Sequence, residues 1–346
     1  MTRSTLRWGL LGTARINDRI LDAVSSSRRS RVVAVASRNA ERAAAYAAAR
    51  DIATPFGSYE DLIASDQIDL VYVSLPNDLH TPWAIQAAQA GKHVLVEKPI
   101  ALTSDDVKSL ISEATRQGVL IQEASMMRLH EQTALIRRII SEGTIGVPRW
   151  ARGSFSFSLN NPGDIRTNKD GGGSLWDLGS YPVTLFQAAL QALPLEVAGF
   201  MHRGPEAVDM TFSGQIRYEG DVLGQLVTSM EALPSWSAEI AGSDGYLRIS
   251  YPWLSHLGVT STVDVVTRLP EGGPRATFGD GVDDQITTSH LFENVNAYVD
   301  EVAAVEALIL DGAVSAYPLT ESAINVATIE ALIQSATSGR TVAVAI

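Results

Sequence analysis

Apolar, β-branched runs alternate with helical patterns through about the first 120 residues, and few folds accept that rhythm. The runs cover 6–12, 31–38, 69–76, 93–99 and the shorter 119–121. Between them lie helical signals. Ile16, Ile20, Leu21 and Val24 recur at helical spacing, and 39–50 is alanine-rich. Thr81 and Pro82 suit a helix start and Gly91 its end; Thr103, Ser104, Asp105 and Asp106 resemble a capping box, with Gly118 closing that helix. Strands joined through helices pair in parallel with right-handed crossovers. The pattern predicts a doubly wound nucleotide-binding domain over 1–124.

The character changes after Glu123. A helix over 131–142 is followed by strand-like segments at 150–158, 195–202, 210–217, 224–230 and 237–243, several alternating polar and apolar residues. That alternation predicts an antiparallel sheet with one covered face. Helical stretches at 179–192, 292–311 and 320–338 complete the chain, and 268–284 reads as a long loop. The expected fold class is α/β: an N-terminal Rossmann doubly wound parallel sheet, then a C-terminal α/β domain over 125–346 with an open-faced, mostly antiparallel sheet.

Composition narrows the function classes. The chain has 346 residues, 45% of them apolar, enough for two real cores. A formal net charge of −12 argues against nucleic acid and anionic membrane as partners. The absence of cysteine removes disulfides and thiolate chemistry. The apolar run after the charged start is too short for a signal core or a membrane span, so a soluble cytoplasmic protein is expected.

The first βα turn reads Gly12-Thr13-Ala14-Arg15-Ile16-Asn17. Against a G-x-G-x-x-G/A fingerprint only the first glycine is present, and a lone degraded fingerprint is weak. Its place in a βαβ run still aims a helix N-terminus at a pyrophosphate. The second run ends in Ser37-Arg38, where NAD sites carry an acid. A hydroxyl with a guanidinium suits the 2′-phosphate of NADP instead, although an exposed arginine starting a helix has the same look. At the exit of the 69–76 run, Leu75, Pro76, Asn77 and His80 stand where the nicotinamide half should reach. Asn77 equally suits a helix cap and His80 a packed core position. Glu97-Lys98-Pro99 ends the 93–99 run, where open α/β sheets hold ligands, and by itself also fits a solvated loop. His93 reads as packed, and His202, His256 and His290 have no metal-ligand spacing, so no metal is expected. Asp105-Asp106 and Asp283-Asp284 read as exposed charge.

The residues 9–16, 74–80 and 90–99, the last reading Ala-Gly-Lys-His-Val-Leu-Val-Glu-Lys-Pro, together resemble the glucose–fructose oxidoreductase / inositol dehydrogenase (Gfo/Idh/MocA) family. Residues 123–130 resemble its domain junction, and 171–182, Gly-Gly-Gly-Ser-Leu-Trp-Asp-Leu-Gly-Ser-Tyr-Pro, its second-domain signature. Trp8, the Thr13-Ala14-Arg15 turn and Tyr181 are similar to the branch of dihydrodiol, xylose and glucose–fructose enzymes. Departures are Ala14, Asn17 and Leu129.

The resemblance implies oxidation of a sugar or polyol hydroxyl, or reduction of the carbonyl. It implies cofactor contacts at Gly12, Thr13, Ala14, Arg15, Ile16, Ser37, Arg38, Leu75, Pro76, Asn77, His80, Glu97 and Lys98, with NADP favoured over NAD. It maps the catalytic lysine to Lys98, often before a cis proline, the acid/base to Tyr181 and a substrate-hydroxyl ligand to Asp177. A homodimer or homotetramer through the open sheet is implied too. Whether Lys98 or Tyr181 takes the proton stays open. Arg166 is a further candidate for the cleft. Alternatives to a dehydrogenase are a dinucleotide-binding regulator without turnover, and an NAD-assisted glycoside hydrolase.

Overall fold

The computed structural model describes residues 5–161, 163–204, 206–253, 259–268, 285–293 and 296–346. In chain order the strands are β1 (Leu6–Leu11), β2 (Ser30–Ala36), β3 (Thr54–Phe56), β4 (Leu70–Val73), β5 (His93–Glu97), β6 (Ile121–Ala124), β7 (Pro148–Ser158), β8 (Pro194–Arg203), β9 (Asp209–Tyr218), β10 (Leu223–Ser229), β11 (Glu231–Gly242), β12 (Gly245–Ser250), β13 (Ser261–Arg268), β14 (Gln285–Phe292) and β15 (Val342–Ala343). The helices are α1 (Asn17–Ser25), α2 (Ala40–Ala48), α3 (Tyr59–Ala64), α4 (His80–Gln89), α5 (Ser104–Gln117), α6 (Met126–Leu129), α7 (Glu131–Ser141), α8 (Ser180–Leu190), α9 (Ala297–Leu310) and α10 (Leu319–Ser338).

Two compact units form: 1–129 with 296–327 and 346, and 130–295 with 328–345. The break falls at 129/130 rather than 124/125, and the chain returns to the first unit near its end. The return has a packing reason: α9 lies against α1 and α6, burying Val302 and Val305.

The first unit holds a six-stranded sheet of order β3-β2-β1-β4-β5-β6, every pair parallel. Leu10, Leu11, Val35, Tyr72, Val73, Val94, Leu95 and Val96 are each fully buried. Covered on both faces, a parallel strand has no polar side, and so these runs read as continuous apolar segments. The strand order reverses between β1 and β4, and ligands bind such sheets at that switch point, beyond the strands' carboxyl ends. Thr103 caps α5 by accepting the Asp106 amide at 3.1 Å, and Gly118 ends it at φ 65°. Thr81 does not cap α4 as expected: a 3-10 turn at Asn77–Leu79 feeds directly into it, and Leu79 stands at the cap.

The second unit holds a nine-stranded sheet of order β14-β13-β12-β11-β7-β10-β9-β8-β15. Its pairs are antiparallel except β10 with β7. One face is covered by α8, and buried Phe212, Ile216, Leu226, Ile240 and Leu247 belong to it. The opposite face stays open. Val227, Ser213 and Phe200 lie in cross-strand register there, as do Trp150 and Leu223. The expected loop over 268–284 lies outside the described residues apart from Arg268, which ends β13; His256 and Asp283-Asp284 lie outside them too. Among the described residues no helix is long and apolar enough to cross a membrane, and no acid or histidine cluster suits a metal.

Candidate active site

In the first unit the site residues gather where β1, β2, β4 and β5 end. Gly12 leaves β1 at φ 106°, a conformation that glycine alone adopts without strain. A Cβ there would also stand 3.0 Å from the Leu75 side chain. Asn17, in the place of the third fingerprint glycine, is fully buried and donates its Nδ2 to the Gly12 carbonyl at 3.0 Å. It closes the turn with a side-chain bond where the fingerprint carries a glycine. The amides of Thr13, Ala14 and Arg15 donate to no described residue, and they stand just ahead of α1. Open amides at a helix N-terminus form a phosphate cradle. Ile16 holds the cap position of α1. Ser37 is buried at the exit of β2 and Arg38 is exposed beside it, with no carboxylate from 36 to 40. These residues fit a dinucleotide whose ribose carries a 2′-phosphate.

His80 is a brace. Its Nδ1 lies 2.8 Å from the Pro99 carbonyl and its Nε2 2.8 Å from the Leu75 carbonyl. Burial pulls its basicity below the ordinary value, against the pull of the two carbonyls. A neutral ring donates to one of these carbonyls and lies packed between the two, so His80 ties the Leu75 and Pro99 turns together. Leu75 and Pro76 line the turn between β4 and the Asn77–Leu79 turn, and Asn77 opens the latter.

Lys98 follows β5, half-buried, and the Lys98-Pro99 bond is cis. Carboxylates grip the main chain on both sides of that bond. The Lys98 amide donates to Glu97 Oε2 at 3.2 Å, and the Ile100 amide to Glu123 Oε1 at 3.0 Å. Each acid is held by a tyrosine: Tyr72 donates to Glu97, and Tyr317 to Glu123 Oε2 at 2.6 Å. Glu97 is thus a support of the lysine turn, engaged by its own unit. A third acid, Glu301 of α9, is fully buried, and neither carboxyl oxygen has a hydrogen-bond partner among the described residues. Burial raises the Glu301 pKa well above the carboxylate range, and the charges of Glu97 and Glu123 add to that. Glu97 is raised as well, chiefly by burial.

In the second unit the signature begins with three glycines. Gly172 and Gly173 donate to the carbonyls of Asn168 and Arg166, both at 2.8 Å. A Cβ on Gly172 would collide with those same two carbonyls, and one on Gly173 with the Asp209 carboxylate. Asp209 is buried, and its Oδ2 accepts from Ser174 Oγ and from the Leu175 amide, both at 2.7 Å. An anion caps the helix that starts here. Its first turn, Leu175–Gly179, is a π-helix, and α8 continues it. Wide turns of this kind recur at functional sites. From Gly173 to Ala189 every residue is buried except Asp177 and Tyr181. Between Gly173 and Ala189 the helix opens at those two positions alone.

Aromatic rings frame Tyr181, with Phe155 edge-on at 5.2 Å and Trp253 at 6.3 Å between centroids. Trp253 is itself anchored by an Nε1 bond to the Ser154 carbonyl at 3.1 Å. Asp177 Oδ2 accepts from Arg166 Nε at 2.8 Å. Phe155, Trp253 and Asp209 were missed in the sequence. Only the glycine run hinted at close backbone approach, and nothing local pointed to partners on distant strands. Of the other histidines, His93 accepts the Leu120 amide at 2.9 Å and is packed as expected.

Comparison with known proteins accords with this geometry. Residues 6–125 match the model of an oxidoreductase family with an NAD-binding Rossmann fold, and residues 133–248 match the GFO/IDH/MocA C-terminal domain. The chain belongs to the GFO/IDH/MocA oxidoreductase family. It is similar to D-xylose 1-dehydrogenase (NADP(+)) 2 of Haloferax volcanii, at 30% identity over 97% of this chain and 99% of that protein. It is also similar to trans-1,2-dihydrobenzene-1,2-diol dehydrogenase of Mus musculus, at 32% identity over 72% of this chain and 75% of that one. Among solved structures, the 3-ketoreductase KijD10 of Actinomadura kijaniata, in complex with NADP and TDP-benzene, matches with a TM-score of 0.85 and 26% identity over 96% of this chain and 98% of that one. The chain is a GFO/IDH/MocA enzyme of the dehydrogenase and reductase class.

Proposed function

We propose that this GFO/IDH/MocA enzyme moves a hydride between NADP and a carbon of a sugar, polyol or dihydrodiol, interconverting hydroxyl and carbonyl. The carrying observation is Lys98 at the end of β5, its turn held on both sides by carboxylates, in a sheet whose β1 exit offers open amides and a glycine turn. NADP as the cofactor is supported by Ser37 and Arg38, with no acid at the β2 exit, and by the NADP-linked relatives. When bound, the nicotinamide supplies the hydride chemistry.

The proton is the protein's task. Alcohol oxidation needs a base at the hydroxyl. A tyrosine is protonated at neutral pH, with a reference pKa of about 10, and a positive charge in the same reaction favours its phenolate. We assign Tyr181 and Lys98 jointly to that proton transfer and Asp177 to a substrate hydroxyl. Partial exposure of Asp177 and Tyr181, within a run otherwise buried from Gly173 to Ala189, supports their part. Retention of all three residues argues against a regulator without turnover.

We also propose a cytoplasmic enzyme that self-associates through the open sheet face. Phe200, Leu223 and Val227 are exposed there at 78%, 57% and 41%, more apolar surface than a solvated sheet usually carries. Light scattering should give a dimer or tetramer, and charges placed at Leu223 and Phe200 should yield monomers.

The deciding experiment is steady-state NADPH formation with aldoses, inositols and dihydrodiols. Turnover with NADP over NAD, reversed by Arg38→Ala, is the expected result. Equal or better use of NAD, unchanged by Arg38→Ala, defeats the cofactor assignment.

A further inference from the structure

The Arg166 loop gives the second unit's half-site a chemical preference. Asp164 opens the 3-10 turn Ile165–Thr167 by accepting the Arg166 amide at 3.0 Å. The guanidinium then spans two acids, Nη1 to Asp164 Oδ1 at 3.1 Å and Nε to Asp177 Oδ2 at 2.8 Å. It lies 5.9 Å from the Phe157 ring centre, and its side chain keeps 35% exposure. Its Nη2 makes no hydrogen bond to any described residue. The loop is locked to the helix carrying Asp177, because the Arg166 carbonyl accepts the Gly173 amide at 2.8 Å.

Two features follow from simple chemistry. A carboxylate accepts and a guanidinium donates, so the pair presents an acceptor beside a donor, matched to adjacent hydroxyls. Two carboxylates against one guanidinium leave one net negative charge. The nearby Lys169 does not correct it, being paired with Asp170 at 3.2 Å. A phosphate or carboxylate group would meet like charge there and find its cation already engaged.

We propose that Arg166 is a specificity-determining residue: with Asp177 it reads adjacent hydroxyls of a neutral sugar, polyol or diol, and the pair turns away phosphorylated or carboxylated analogues. This rests on the hydroxyl–carbonyl oxidoreductase function proposed above. An engaged guanidinium selects for a second hydroxyl because its absence leaves a polar group unpaired.

The test uses the full chain with NADP and compares a neutral aldose with its deoxy analogue, its phosphate ester and its uronate. The wild type should favour the neutral sugar over both anions by about 10² or more in kcat/KM. Arg166→Met should raise KM for the neutral sugar by about tenfold or more, a clearly larger loss than for the deoxy analogue, and leave NADP affinity unchanged. Arg166→Lys keeps the charge without the fork and should fall between, with unchanged circular dichroism showing an intact fold. Equal losses for the neutral sugar and its deoxy analogue would make Arg166 a purely structural residue and overturn the proposal. Selective loss of a phosphate ester that the wild type uses well would overturn it in the other direction, making Arg166 an anion ligand. Calorimetric titration of the NADP-loaded proteins with the polyol reads the same contrast without turnover. Weaker polyol binding by Arg166→Met sustains the assignment even where no NADPH forms, and unaltered binding defeats it. Absence of NADPH with every neutral substrate instead defeats the oxidoreductase function.

Discussion

The carboxylate of Asp209, at the start of β9, accepts the main-chain amide of Leu175 at 2.7 Å, across thirty-four residues of sequence. That bond fixes where the π-turn begins, and with it the direction in which Asp177 and Tyr181 point. Asp209→Ala strands the buried Leu175 amide and leaves Ser174 Oγ only its Thr228 partner, a cost of about 1–3 kcal/mol. Turnover should fall about tenfold or more while NADP affinity holds, and Asp209→Asn, which keeps one acceptor, should lose less. Unchanged kcat in Asp209→Ala, measured beside thermal melting, would refute the role.

Lys98→Ala and Tyr181→Phe should each lower turnover by about 10² or more, the usual scale of acid–base catalysis. The KM for NADP should scarcely move. Near-normal turnover in both variants rejects the joint assignment.

Gly12→Ala should weaken NADP binding by about tenfold or more, because the turn's φ of 106° and the Leu75 side chain 3.0 Å away both oppose a Cβ. Fluorescence titration with NADPH measures it; wild-type affinity would show that the turn yields without cost.

Glu301 predicts a pH signature. Its folded pKa is raised, first by burial and then by Glu97 and Glu123. A carboxyl raised in the fold contributes its stability fully below the unfolded value of about 4.3 and loses it as pH climbs through the folded value. Each such group lowers stability by at most about 1.4 kcal/mol per pH unit across that window. Glu301→Gln removes the titration, so urea unfolding from pH 5 to 8 should show a flatter slope and greater stability at the alkaline end. An identical slope in both proteins counts against a buried acid that binds its proton in the fold.

What could be read from sequence was whatever is local. The strands with continuous apolar runs, the Thr103 cap and the lysine at the β5 exit all announce themselves within a few residues. β3 did not: it has three residues, one of them Pro55, and lies at the sheet edge where little burial marks it. α3 was missed with it. β12 and β13 were unread, and β14 fell between the stretch read as a loop, 268–284, and the helix read from 292. The part Asn17 plays was not legible, because a fingerprint counts glycines and cannot register a side chain bonding back to the turn. Arg166 and Asp177 lie eleven apart across a glycine loop, so their pairing depends on how that loop folds rather than on periodicity.

The stretch 296–327 has one more implication, for anyone who would cut or recombine this enzyme. A fragment ending at 129 keeps every strand of the parallel sheet, yet it lacks Tyr317, which donates to Glu123, Asn325, which donates to that tyrosine, and the helix that covers α1 and α6. The nucleotide-binding half is therefore not a detachable cassette. A working chimera must exchange two separate lengths of chain together, with seams at 129/130, 295/296 and 327/328, or the graft will carry an open acidic interior.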